Sequence, residues 1–235
     1  MMKYIPQIND YVKWRFTMIM PVNPYKKALF PIHIYQNRIK ENDVCKDEIL
    51  SKIDKMHEDG KFKVPEGWLT DKLSTSFSHL ESNFELFRGT KTIDLYQEYI
   101  GRFFDKDVEF MIEEIWYNYY VDGEWQEQHS HIGGSSLEGS STFSCIHFLS
   151  FNPEIHPPVV FSDPNEKVRS LSMEMDSNHY RNRYYPKVTE GSLIMFPCYL
   201  EHFVKKGPPT PNYPRITIAF NLTVTKYGER TAKQN

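Results

Sequence analysis

The feature that most constrains the fold is a change in the pattern of residue types near residue 108. After this point the chain becomes a series of short runs rich in β-branched and aromatic residues. Turn-forming pairs such as Asp122-Gly123 and Glu190-Gly191 separate the runs. The predicted strands are Phe110–Val121, Thr142–Phe151, Val159–Ser162, Ser192–Pro197 and Arg215–Val224. Several short strands with turns between them predict a β-sandwich or barrel.

The last predicted strand has two different faces. From Ile216 to Leu222 every second residue is large and apolar, and the intervening residues are small or polar. Alternate residues of a strand point to opposite sides of the sheet. We therefore expect the apolar side to pack against helices. The polar side, which begins with Arg215, is expected to line a cavity.

The first half is predicted to be mostly helical, with strands at its start. Apolar residues recur at helical spacing over Asp43–His57, where Asp43 is the expected N-cap. A second helix is predicted from Thr90 or Thr92 to Phe104, and Thr75–Phe87 is predicted to be partly helical. Strands are predicted over Tyr11–Met20 and Phe30–Arg38.

These elements predict a mainly β, α+β protein with the helices on one outer face of the sheet. At 235 residues, we expect one domain. Residues 1–107 would supply early strands and supporting helices, 108–225 the β core, and 226–235 a tail.

Composition excludes several classes of protein. A net charge of -3 gives no support for nucleic acid as a partner. Three widely spaced cysteines, Cys45, Cys145 and Cys198, argue against a disulfide framework and for a reducing compartment. The sequence has no apolar stretch long enough to cross a bilayer. A cytoplasmic protein is therefore expected.

Two histidines carry the strongest chemical signal. His129 and His131 are two residues apart, so in an extended segment both imidazoles point the same way. Two imidazoles on one face form most of a facial metal site. Glu127 lies two residues earlier and would share that face.

A second segment supplies a histidine and an arginine. Gly191 begins a short apolar run, and His202 follows its end. Arg215 comes thirteen residues later. A guanidinium can grip a carboxylate through two hydrogen bonds, so Arg215 could anchor a dicarboxylate whose other end reaches a metal.

In this order, these residues resemble the 2-oxoglutarate-Fe(II) oxygenase family, which is related more distantly to prolyl 4-hydroxylases. The resemblance covers about residues 28 to 225, and single motifs within it are less specific than their order and spacing. The matching residues are Trp116, Asn118, Gly123, His129, His131, Asp163-Pro164, Gly191–Pro197, His202 and Arg215–Asn221.

The resemblance implies a jelly roll, or double-stranded β-helix, with iron near its open mouth. It implies His129 and His202 as iron ligands and Arg215 as the anchor of 2-oxoglutarate. Most such oxygenases have Asp or Glu two residues after the first histidine, where this chain has His131. Either His131 or a carboxylate such as Glu127 completes the ligand set, and the matching position favours His131.

Three further residues are expected to bind the co-substrate, namely Asn118, Tyr120 and Thr217. The implied function is an Fe(II)- and 2-oxoglutarate-dependent dioxygenase that uses O2, hydroxylates a C–H bond of an unidentified substrate, and releases succinate and CO2. The alternative is a cupin-like or non-catalytic β-helix protein that binds a metal or ligand. A homodimer through an exposed edge strand is possible.

Overall fold

The computed structural model describes residues 31–60, 64–70, 72–104, 108–132, 141–166 and 182–227. The residues from His33 onward belong to one compact unit. The predicted strand Tyr11–Met20 lies outside the described residues, and the single-domain organisation stays a prediction.

Helices precede most of the strands along the chain. The elements are β1 (Tyr35–Arg38), α1 (Asn42–Glu58), β2 (Ser74–Thr75), a 3-10 turn (Phe77–His79), α2 (Leu80–Phe87), α3 (Lys91–Gly101), β3 (Val108–Tyr120), β4 (Gln126–His129), β5 (Phe143–Ser150), β6 (Val159–Ser162), β7 (Arg183–Tyr184), β8 (Ser192–Pro197), β9 (His202–Val204) and β10 (Arg215–Tyr227).

The strands form two antiparallel sheets. The large sheet has the order β1-β8-β5-β10-β3-β2 and the small sheet the order β4-β9-β6-β7. From β3 onward the chain passes repeatedly from one sheet to the other, so that β4, β6, β7 and β9 lie in the small sheet and β3, β5, β8 and β10 in the large one. This alternation is a double-stranded β-helix, and it confirms the predicted fold class.

The two faces of the large sheet have different partners, as the pattern in β10 predicted. On one face, the apolar residues of β10 share a core with Ile49 and Ile53 of α1 and Tyr96 and Ile100 of α3. On the other face, a second core joins Phe148 and Phe196 of the large sheet to Val159 and Phe161 of β6. The helices therefore cover the outside of the large sheet, and the inside faces the small one.

His147 of β5 ties the helices to the sheet. It is fully buried. Its Nε2 lies 2.8 Å from Asn42 Oδ1, and its Nδ1 lies 2.9 Å from the Tyr96 hydroxyl. Since the Asn42 amide nitrogen donates to the Leu149 carbonyl, Asn42 Oδ1 is the acceptor and His147 Nε2 carries the proton.

Most predicted elements are present, with some changes at their ends. β6 and β8 have the predicted bounds, but the prediction of Asp43 as N-cap is wrong. Helix α1 begins at Asn42 after Glu41, and Asp43 lies in its first turn. Strand β1 begins only at Tyr35, where pairing with β8 starts at Met195. None of the described helices is long and apolar enough to span a bilayer.

Candidate metal centre

Three histidines meet beside strands β4 and β9 of the small sheet. Among the described residues, one ligand nitrogen from each of His129, His131 and His202 lies within 4.8 Å of the other two. The ring centroids of His129 and His202 are 4.3 Å apart, and His131 lies 5.2 Å from each. The structure thus brings together the three predicted metal ligands.

Strand pairing explains how distant residues converge. β4 and β9 are antiparallel neighbours, and His129 stands directly opposite His202 in their register. His131 follows β4 by two residues, and its backbone N–H donates to the Cys198 carbonyl at 2.8 Å. This backbone bond holds the segment after β4 beside the turn between β8 and β9, which places the third imidazole against the other two.

Two of the histidines have a fixed tautomer. The Nδ1 of His129 donates to the Glu127 carbonyl at 2.8 Å, and the Nδ1 of His202 donates to the Leu200 carbonyl at 3.0 Å. A carbonyl can only accept, so in each ring Nδ1 carries the proton and Nε2 presents a lone pair. Metal-binding histidines are commonly oriented in this way.

The imidazoles are held in the neutral form that binds metals. Burial, and next the repulsion from His129, lowers the pKa of His131 to about 3. Burial also lowers the pKa of His202 well below its usual range, and it lowers the pKa of His129. Three neutral nitrogen donors in a partly buried cluster fit a first-row transition metal such as iron(II).

Glu127, the alternative ligand, lies outside this cluster. Its Oε1 accepts a hydrogen bond from the Leu69 backbone N–H at 3.1 Å. Its Oε2 is buried and has no hydrogen-bond partner among the described residues. The carboxylate lines the same cavity as His129 without joining the three imidazoles.

A cavity of about 300 Å³ opens beside the histidines. Its described lining includes His129 and His131, the aromatic residues Trp68, Phe77 and Trp116, and the carboxylates Glu114 and Glu127. Ring contacts join the wall to the metal ligands, since Trp116 stacks on His131 at 5.6 Å and Trp68 on His129 at 6.4 Å. The cavity is therefore a place for a substrate next to the cluster.

Asn221 of β10 connects His131 to a carboxylate. Its side-chain amide donates to Glu114 Oε2 at 2.6 Å and accepts from the Ser144 hydroxyl at 2.8 Å. The His131 ring also donates a hydrogen bond to the Asn221 side-chain oxygen, and this bond opposes the lowering of the His131 pKa by burial. Asn221 thus positions His131 from the inner face of the large sheet.

The predicted co-substrate residues lie further along the same inner face. In the register of β10 and β3, Arg215 pairs with Tyr120, four residues from the Ala219–Trp116 pair, and Thr217 pairs with Asn118, two residues from it. All four of these side chains are buried. They are therefore close to one another, although none of them lines the cavity described above.

Arg215 fits a role in holding an anion. Its Nε donates to the Pro157 carbonyl at 3.1 Å, and its guanidinium carbon lies 4.4 Å from the centre of the Tyr120 ring. Its Nη1, although buried, has no hydrogen-bond partner among the described residues, and neither does Asn118 Oδ1. Unpaired buried polar atoms are costly and point to a polar ligand that would complete them.

The sequence reasoning missed Trp68, Phe77, Glu114 and Asn221. The period of two that picked out Arg215 and Thr217 places Asn221 on the same face, so that signal was available. The same alternation along β3 relates Glu114 to Trp116 and Asn118. For Trp68 and Phe77, in the segment between α1 and α2, the sequence carries no corresponding signal.

Comparison with known families identifies the region that contains the cluster. Residues 114–221 match the family described as "Putative 2OG-Fe(II) oxygenase". This region is a 2OG-Fe(II) oxygenase domain. The matched residues include all three clustered histidines and Arg215, and the cofactors of the oxygenase domain are Fe(II) and 2-oxoglutarate. No curated protein matches the chain.

Solved structures share the fold of this oxygenase domain at low sequence identity. HygX from Streptomyces hygroscopicus, with nickel, 2-oxoglutarate and hygromycin B bound, has a TM-score of 0.54 at 10% identity, over 84% of this chain and 85% of that one. A Pseudomonas putida prolyl-4-hydroxylase has a TM-score of 0.50 at 11% identity, over 84% and 94%. The non-heme α-ketoglutarate-dependent epimerase SnoN from nogalamycin biosynthesis has a TM-score of 0.53 at 10% identity, over 82% and 78%.

Proposed function

We propose that the chain hydroxylates a C–H bond of an organic substrate, with Fe(II) bound by His129, His131 and His202 and 2-oxoglutarate anchored by Arg215. The observation that carries this proposal is the cluster of three neutral imidazoles, two of which have Nδ1 bonded to a carbonyl and Nε2 free to bind a metal. Three protein ligands leave coordination positions open for other molecules, as in other non-haem iron oxygenases.

The bound cofactors supply the oxidising chemistry. Iron(II), 2-oxoglutarate and O2 together provide an oxidative decarboxylation that yields succinate and CO2 and transfers one oxygen atom to the substrate. The protein contributes binding, orientation and the exclusion of water.

The buried residues of β3 and β10 orient the keto acid. The guanidinium of Arg215 neutralises its distal carboxylate, and the Tyr120 ring packs against that guanidinium. Asn118 and Thr217 offer polar groups between Arg215 and the metal ligands along the same face. Burial of this face keeps water away from the ion pair and so strengthens it.

The third histidine changes the charge of the centre. A carboxylate ligand would contribute one negative charge, whereas a neutral His131 contributes none. The centre is therefore one unit more positive than one with two histidines and a carboxylate. Asn221 and Glu114 lie behind His131 and restore part of the negative potential at a distance.

The decisive experiment is an anaerobic titration of the metal-free protein with Fe(II) and then 2-oxoglutarate. We expect the weak visible charge-transfer band of a chelated keto acid. The band should be absent in His202→Ala and weakened in Arg215→Ala, and it should be unchanged in His33→Ala, which removes an exposed histidine outside the cluster. Succinate release on addition of O2 would then establish turnover.

A folded, iron-loaded protein without the band would contradict the proposal. Activity that persists in Arg215→Ala would favour a cupin-like enzyme that uses no keto acid. Absence of any O2-dependent turnover would favour the non-catalytic metal-binding module.

We propose separately that the enzyme is cytoplasmic and forms a homodimer. Cys45, Cys145 and Cys198 are buried free thiols, which suits the reducing cytoplasm. The exposed edge strand β7 offers backbone groups for pairing of two copies into a homodimer. Fractionation and size-exclusion chromatography test these two statements.

A further inference from the structure

The cavity beside the three histidines has an aromatic wall. Trp68 and Phe77 have ring centroids 5.5 Å apart, and Phe77 meets Trp116 edge-to-face at 5.1 Å. The rings touch one another, so they form a continuous surface rather than an open cage. The faces of such rings attract apolar groups and cations.

The same cavity carries two carboxylates and no described cationic lining residue. Glu114 and Glu127 line it, and neither lysine nor arginine is among the described residues that do so. Glu114 uses Oε2 to accept from Asn221. Glu127 is held in place through Oε1 by the Leu69 backbone, while its buried Oε2 has no partner among the described residues.

An unpaired buried carboxylate oxygen is unfavourable unless a donor reaches it. Glu127 lines the cavity and is held by the Leu69 bond, so a molecule bound in the cavity can supply the donor that completes Oε2. Glu127 also borders a neighbouring groove that contains Arg183, Lys205 and Lys206, but none of these cations donates a hydrogen bond to Oε2. A cationic donor gives a shorter and stronger hydrogen bond than a neutral one.

The charges of the loaded site also favour a cation. A 2+ metal ion, the dianion of 2-oxoglutarate and the Arg215 cation together carry a charge of +1, and the two glutamates of the cavity carry -2. One negative charge then remains on the cavity side, where Glu114 and Glu127 lie, whereas Arg215 lies elsewhere on the sheet.

We infer that this cavity binds the primary substrate through an ammonium or guanidinium group, which pairs with Glu127 and lies against the aromatic wall of Trp68, Phe77 and Trp116. This inference rests on the proposed function and specifies its substrate class, a cationic amine or guanidine whose oxidised C–H bond lies close to the cation. Glu127 and Trp68 are specificity-determining residues in this arrangement.

The test uses simple probes of one size and three charges. The full-length, metal-free protein is titrated with butylammonium, 1-butanol and butyrate, and binding is followed by quenching of tryptophan fluorescence, since two of the four tryptophans form the wall. The titrations are repeated with Zn(II) and 2-oxoglutarate present. We expect butylammonium to bind about tenfold or more tightly than either other probe.

Matched variants assign the effect to the cavity. In Glu127→Gln the side-chain carbonyl still accepts from Leu69, but the charge is lost, and butylammonium affinity should fall by about tenfold or more. Glu109→Gln removes the same charge from an exposed surface pair with Lys226 and should leave affinity unchanged. Trp68→Phe, which keeps an aromatic face, should bind more tightly than Trp68→Leu.

The outcomes separate this inference from the proposed function. Equal binding of the three probes, or unchanged affinity in Glu127→Gln, overturns the inference even if the keto-acid band forms. Selective binding of butylammonium in the metal-free protein supports it even if no band forms, and the proposed function then fails alone.

Discussion

At the scale of single residues, Arg215 is a cation held in a buried and largely aromatic environment. It is 2% exposed, and its contacts include a backbone carbonyl, a side-chain hydrogen bond with Tyr120, and the rings of Tyr120, Phe148 and Phe151. Burial lowers the pKa of its guanidinium, which means that the charged form is disfavoured there. Such a residue opposes stability and is retained for a function, as is typical of binding sites.

This argument predicts that Arg215→Met stabilises the metal-free protein. The variant removes a buried charge and keeps an unbranched apolar chain, so the free energy of unfolding should rise by about 1 kcal/mol or more. Urea denaturation measures this change. Fe(II) with 2-oxoglutarate at about 100 times its Kd should add about 2.7 kcal/mol to the wild type and much less to the variant. A large loss of stability in the metal-free variant would contradict the argument.

At the scale of elements, β10 joins the two layers of the protein. Ile218 faces the helices, whereas Thr217 faces the interior between the sheets. The sequence predicted this division because a strand thirteen residues long shows its period of two clearly. Strands β6 and β8 were also predicted with their observed bounds, because each is a compact apolar run between turn signals.

The short strands were not predictable in the same way. β9 has three residues and β7 has two, and neither length can show a period. They are strands because their partners lie beside them, as His202 lies between His129 and Phe161. The metal ligands were therefore identified by their order along the chain, while the aromatic wall, built from a loop and a 3-10 turn, was not.

Adjacent positions on β10 give a matched prediction. Ile218→Ala should lower the free energy of unfolding by about 2–5 kcal/mol, because it leaves a cavity in the helix-facing core, and it should leave 2-oxoglutarate affinity of the folded protein unchanged. Thr217→Val preserves the shape and removes the hydroxyl, so it should change stability by no more than the contribution of one hydrogen bond, about 1.5 kcal/mol, while it weakens 2-oxoglutarate binding. Denaturant titration and keto-acid titration together check both results. The reverse pattern would mean that the faces are assigned wrongly.

At the scale of the whole molecule, several histidines are buried in the neutral form. Burial lowers the pKa of His147 to about 3, as it does for His131, and the pKa values of His129 and His202 are lowered as well. In the unfolded chain these groups titrate near 6.5. Below that pH the unfolded state binds more protons than the folded state, so the stability of the folded protein falls as the pH falls towards 3.

The metal-free protein should therefore be acid-sensitive well above the range in which its carboxylates titrate. Its free energy of unfolding should decrease steadily from about pH 6.5 downwards, by up to about 1.4 kcal/mol per pH unit for each such histidine. Urea denaturation at a series of pH values measures the slope. The side chain in His147→Gln can still accept from Tyr96 and donate to Asn42. This variant should reduce the slope by the contribution of one histidine, up to about 1.4 kcal/mol per pH unit. An unchanged slope in that variant would mean that His147 is protonated in the folded state.

The passage of the chain back and forth between two sheets also affects how the protein is made. β3 lies in the large sheet between β2 and β10, and Tyr120 finds its partner Arg215 only 95 positions later. At about 5–20 residues per second, a ribosome needs about 5–20 s to synthesise that stretch. During this time the long edge of β3 that later pairs with β10 is exposed to other chains. His129 likewise has no His202 beside it until β9 has been synthesised. The nascent chain thus passes through a period of exposure to aggregation, and the metal centre can assemble only after His202 has been synthesised.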